Sequence, residues 1–72
     1  MESITFEVKG EFIELCNLLK LAGIANSGGQ GKLMVSDGIV QVDGVTETRR
    51  TAKIRAGQVV ECMGQKILVT AG

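Results

Sequence analysis

Apolar and polar residues alternate at the start of the chain: Ile4, Phe6 and Val8 are apolar, while Thr5, Glu7 and Lys9 are polar. A period of two predicts a half-buried strand over residues 3–9. Gly10 breaks the alternation, and from Glu11 the spacing lengthens to three and four residues, with Phe12, Leu15, Cys16, Leu19 and Ala22 on one side. That spacing predicts a helix over residues 11–22, with Glu11 and Glu14 in a first turn suited to its dipole and Gly23 as its stop. Leu18 and Leu21 widen the apolar face, so this helix is expected to be covered on more than one side. Both Phe6 and Phe12 fall on inward faces.

Ser27-Gly28-Gly29-Gln30 reads as a capping box, with the serine hydroxyl accepting from the third backbone N–H and Gln30 reaching back to the cap. The helix it opens runs to about Asp37 and stops at Gly38, with Gly31, Met34 and Val35 inward. Glycines cost about 1 kcal/mol each in a helix relative to alanine. Gly28, Gly29 and Gly31 therefore answer to something other than propensity, either close helix packing or close approach of a ligand. After Gly38 the pattern is sheet. Residues 39–42 form a strand, Asp43-Gly44 a two-residue hairpin turn, and Val45 to Thr48 the return. An irregular basic connection follows, with Ile54 inward. Residues 58–62 and 66–70 are the last two strands, joined by a turn at 63–65. The order predicts one α+β domain spanning residues 1–72, with two helices on one side of a small, mostly antiparallel sheet.

Composition narrows the chemistry. The 72 residues contain no His, Trp or Tyr, which removes the usual general base near neutral pH and the commonest zinc ligand. Cys16 and Cys62 fit no metal-ligand spacing and lie in apolar stretches, as buried free thiols do. Nothing suggests a nucleophile with its base, so no enzyme, cofactor or metal is expected. No apolar run approaches the roughly 20 residues of a membrane span, and Met1 is followed by Glu2 rather than by a basic leader segment; the expectation is a cytoplasmic protein.

The net charge is zero but unevenly placed. Residues 1–19 carry four glutamates against Lys9 alone, a net of −3, whereas residues 20–72 carry seven cations against four acids, a net of +3. Arg49-Arg50-Thr51-Ala52-Lys53-Ile54-Arg55 holds four cations and no acid. Such a stretch is either a solvated loop or the contact face for a polyanion.

Leu15, Leu19, Gly23-Ile24-Ala25-x-Ser27, Lys32, Gly38-x-Val40-x-Val42-Asp43-Gly44 and Ile54-x-x-Gly57-Gln58 form a spaced signature over residues 12–62. It resembles the S-four RNA-binding domain, whose pattern runs L-x-x-x-L-x-x-x-G-L-A-x-S-R, then V-x-V-N-G and V-x-x-G-D. Glu14-Leu15-Cys16-x-Leu18-Leu19-Lys20-Leu21, Ser27-Gly28-Gly29-Gln30 and Glu47-Thr48-Arg49 are similar to the standalone bacterial subset of the YbcJ type. The resemblance implies the αL arrangement, two helices and a hairpin docking on structured RNA of ribosomal or tRNA-like kind. Binding would be the whole activity, in a monomer with no membrane or small-molecule partner.

The chain departs from the broad family at three places. Gly28 stands where the family carries Arg after the capping serine, and Glu14 and Cys16 where it often carries Arg and Asp. The resemblance leaves Lys32 and Arg49 as matching cations, and the YbcJ-like subset adds Arg50 and Lys53. Lys20, Gln30 and Arg55 complete the expected RNA-binding set, although capping already accounts for Gln30 and strand alternation leaves the direction of Arg55 open. Gly28 and Gly29 leave N–H groups unobstructed for a phosphate. With both phenylalanines inward, no stacking platform for bases is expected, and contacts should read shape and charge. The competing function is a protein–protein adaptor that keeps the fold without RNA affinity.

Overall fold

The strand at the beginning of the chain finds its partner at the end. In the computed structural model, which describes residues 2–71, β1 (Glu2–Val8) pairs parallel with β7 (Gln65–Ala71), Ile4 beside Ile67 and Phe6 beside Val69. Every other pairing is antiparallel: β6 (Val59–Cys62) joins β7 to β3 (Val40–Val42), and β3 joins β4 (Val45–Thr46). The five strands lie in the order β1-β7-β6-β3-β4. Alternation then sorts the side chains by face: Val40, Val60, Cys62, Ile67 and Val69 are buried, while Gln41, Leu68 and Thr70 are exposed. On the covered face lie α1 (Leu15–Leu21) and α2 (Gly28–Ser36). Leu15, Leu18, Leu19, Met34 and Val35 complete one core with those strand residues.

Local signals set most boundaries. Ser27 Oγ accepts from the Gln30 N–H at 3.1 Å, as a capping box requires. The reciprocal bond goes one residue earlier than expected: Gln30 Oε1 accepts from the Asn26 N–H, at 2.6 Å. Gly23 and Gly38 end the helices at φ +82° and +78°, a conformation that costs glycine nothing. Asp43-Gly44 makes the hairpin, both residues at positive φ, and the Asp43 carboxylate also accepts from the Val59 N–H at 3.0 Å. The turn residue thereby fixes the start of β6.

The first helix is shorter than its apolar spacing predicts. Residues 11–12 are not helical, and Ile13–Glu14 form a short strand, β2, paired antiparallel with β5 (Lys53–Ile54) in a separate two-stranded sheet. Glu14 is extended at φ −69°, ψ 140° and stands at the N-cap, with no acid in the first turn. The dipole role expected of Glu11 and Glu14 is therefore not realised. Phe12 lies outside the helix and is 37% exposed rather than inward, and Leu21 is 62% exposed, so the helix is covered along Leu15, Leu18 and Leu19 but not there. The physical reason is a tertiary one: extended backbone at Ile13 gains a strand partner in Ile54, and one helical turn is lost to obtain it. Among the described residues no helix is long and apolar enough to cross a membrane, and Cys16 and Cys62 are both free and buried.

Candidate nucleic-acid interface

The basic stretch is a turn and a two-residue strand, both bonded to the elements beside them. Helix α1 opens with N–H groups that have no partner within the helix; that of Leu15 donates to the Ala52 carbonyl at 2.9 Å and that of Cys16 to the Arg50 carbonyl at 3.2 Å. Two residues on, Lys53–Ile54 pair with Ile13–Glu14. Ala52 and Ile54 are buried in the core, while Arg50, Thr51, Lys53 and Arg55 are exposed. The segment is thus nailed down by its backbone and by every second side chain, and its cations project outward. The irregular connection expected here is, in part, a strand.

Arg49, Thr51, Ala52, Lys53 and Arg55 line one open groove of about 510 Å³. Arg55 accordingly shares a surface with Arg49 and Lys53, which settles the direction that alternation left open. Its N–H donates to Gln58 Oε1 at 2.7 Å, anchoring the far end of the segment. Arg50 contributes its carbonyl to α1 and keeps its side chain in solvent. Lys20, in the last turn of α1, and Lys32, on α2, are exposed and are not among the residues that line this groove. Gln30 spends its side-chain oxygen on Asn26. Of the seven expected residues, three line the groove, Arg50 adjoins it in sequence, and Lys20, Gln30 and Lys32 belong to the helix region.

Two acids temper the site. Glu47 grips Arg49 side-on, with Nε–Oε2 at 3.1 Å and Nη2–Oε1 at 3.0 Å, and also accepts from the Arg49 N–H at 3.1 Å. Hydrogen bonds from Arg49 hold the Glu47 carboxyl at about 2, well below its ordinary value, and Glu47 in turn raises the Arg49 guanidinium further. The Arg49 side chain remains 80% exposed, so this pair orients the guanidinium without hiding it. Glu14 stands opposite Lys53 in the β2–β5 register and accepts weakly from Asn17 Nδ2 at 3.4 Å.

Sequence reasoning missed Phe12. Its ring lies under Lys53, with Nζ 5.0 Å from the ring centre, a cation–π contact of about 0.5–1 kcal/mol at an exposed site. The Gly10 break and the run Glu11-Phe12-Ile13 before Glu14 were the available signal, since a strand of two residues leaves no periodicity of its own. Gly31 is explained by packing: a Cβ there would stand 2.7 Å from the Cys16 carbonyl oxygen. A Cβ on Gly28 would meet nothing within 4 Å, so helix packing does not account for that glycine as it does for Gly31. Among the described residues no three His, Cys, Asp or Glu side chains gather into a metal-holding group.

Comparison with known proteins agrees with this architecture over nearly the whole chain. Residues 6–70 match the S4 domain family. The chain is 48% identical over 63 residues to YbcJ of Escherichia coli (strain K12) and equally to YbcJ of Shigella flexneri, covering 88% of this chain and 90% of each relative. The solution structure of YbcJ from E. coli, described as containing an αL motif involved in RNA binding, superposes with a TM-score of 0.70 at 44% identity, covering 99% of this chain and 89% of that one.

Proposed function

Because this chain belongs to the S4 domain family, we propose that it is a noncatalytic RNA-binding protein that grips structured RNA through the segment Arg49–Arg55. The carrying observation is that this segment is fastened to the N-terminus of α1 and to β2, so that Arg49, Lys53 and Arg55 share one groove on a rigid frame. Cations held this way meet phosphates without first having to be ordered, and that ordering is a cost flexible side chains otherwise carry. The RNA-binding motif described for the E. coli relative supports the same reading.

Recognition in this scheme is by charge and shape. Arginine and lysine contacts to phosphate position an RNA without reading its sequence. Readers of linear single strands stack successive bases on rows of aromatics, and this chain has two phenylalanines in all. A folded RNA, ribosomal or tRNA-like, presents phosphates from two strands across one groove and suits the site better. Lys20 and Lys32 lie outside the groove and extend the contact only to an RNA large enough to reach the helices. The protein acts as a monomer in the cytoplasm, with binding as its whole activity.

The test is a direct competition between an RNA stem-loop and an unstructured strand of equal length at the same salt. The stem-loop is expected to win by tenfold or more. Equal affinity for the two would contradict recognition of folded RNA, and no affinity for either in 50 mM salt would contradict the function.

A further inference from the structure

Beside the basic groove lies a second, apolar one of about 290 Å³, bordered by Phe6, Val8, Phe12, Ile13 and Leu21, with Glu7 and Lys9 at its rim. The two are joined through one contact. Lys53 lines the basic groove and stands over the Phe12 ring, which borders the apolar one. We infer that the groove beside Phe12 receives a single unpaired nucleobase of the RNA whose phosphates the neighbouring cations hold; this rests on the RNA-binding reading above.

Size, polarity and charge each argue for that occupant. At about 290 Å³ the groove lies just below the roughly 300 Å³ at which pockets for drug-sized ligands begin, which is room enough for one planar base. Phe12 and Leu21 are 37% and 62% exposed, too open for core residues and suited to the face of a base. Aromatic stacking is how proteins hold extruded bases, and it tolerates any base because each has a π-face. Glu7 and Lys9 together leave this groove without net charge, so it does not draw a phosphate as the basic groove does, and Glu7 can accept from a base N–H. Lys53, between the grooves, is placed for the phosphate that links a paired nucleotide to an unpaired one. The chain thereby distinguishes a stem with a bulged or terminal unpaired nucleotide from a continuous duplex, a preference that the cations alone do not provide.

The experiment compares two RNA stems of equal length, one continuous and one with a single bulged 5-iodouridine, for the wild-type protein and for Phe12→Leu, whose folding is checked by circular dichroism. The wild type is expected to bind the bulged stem about tenfold more tightly. Phe12→Leu should bind the two stems equally, because the lost contact with Lys53 weakens both alike and only the preference reads the base. On irradiation of the wild-type complex, the iodouridine should crosslink to the tryptic peptide of residues 10–20, a result that does not depend on any variant folding. Equal binding of both stems, an unchanged preference in folded Phe12→Leu, or crosslinks confined to other peptides would overturn the base site while leaving RNA binding intact, and would leave the groove to an apolar side chain of a protein partner. Failure of the wild type to bind either stem would overturn both.

Discussion

Gly31 of α2 lies against the Cys16 carbonyl of α1 so closely that a Cβ on Gly31 would sit 2.7 Å from that oxygen. The same Cys16 donates its N–H to the Arg50 carbonyl. One contact therefore sets how near the two helices come, and the next residue-to-residue bond ties that spacing to the basic segment. Crowding of this kind cannot be relieved by a rotamer change, because both parties are backbone or fixed to it. Gly31→Ala is expected to cost about 1–3 kcal/mol, read as a lower urea midpoint with unchanged slope. Gly29→Ala, whose Cβ would meet nothing nearer than the Ser27 hydroxyl at 3.8 Å, should be neutral or stabilise by up to about 1 kcal/mol. Equal effects of the two would contradict the packing account.

What could be read from the sequence, and what could not, divides along the same line between local and distant causes. The Ser27 cap, the stops at Gly23 and Gly38 and the Asp43-Gly44 turn are chemistry between neighbours in the chain, and they lie where the residues predict. The helix at Phe12–Glu14 does not. Phe12, Leu15, Cys16 and Leu19 keep helical spacing whether or not the first turn forms, and only the pairing of Ile13 with Ile54, 41 residues away, decides it. The parallel pairing of β1 with β7 is equally invisible, since alternation gives a strand's faces but not its neighbour. In the candidate site the cations Arg49, Lys53 and Arg55 were legible as a charge run. Their common groove, the Glu47 clasp and the exposed Phe12 depend on that unseen second sheet.

Asp43 and Met63 both hold φ at +53°, with opposite consequences. Asp43 gains a bond to the Val59 N–H, and aspartate tolerates this region. Met63 is 72% exposed and has no such return, so it carries the steric cost of the left-handed conformation, about 1–2 kcal/mol for an ordinary L-residue. Met63→Asn should raise stability by about 0.5–1 kcal/mol. Asp43→Ala should lower it by about 1–2 kcal/mol through the lost bond, whereas Asp43→Asn, which retains an accepting oxygen, should stay within about 0.5 kcal/mol of wild type. Thermal or urea unfolding of the three variants checks the ordering.

The Glu47–Arg49 pair makes a prediction about pH and another about affinity. Hydrogen bonds from Arg49 depress the Glu47 carboxyl to about 2 in the fold, below its ordinary value, so the folded state binds fewer protons there than the unfolded one. Its contribution to stability is complete above the unfolded value and is lost as pH falls towards 2. Glu47→Gln should flatten that part of the stability profile. It also removes a negative charge beside Arg49, and RNA affinity should rise about two- to fivefold at low salt. A fall in affinity would mean that Glu47 matters more for aiming Arg49 than for opposing phosphate.

The central claim is that Arg49, Lys53 and Arg55 work as one phosphate-binding surface, and the salt dependence of stem-loop binding tests it most directly. These three cations and the adjoining Arg50 neutralise about four phosphates, which gives a slope of log affinity against log salt of about −3 to −4. Arg49→Ala combined with Lys53→Ala should make that slope shallower by about 2 while unfolding of the protein stays cooperative. A wild-type affinity that ignores salt, or a double variant with the wild-type slope, would contradict the account.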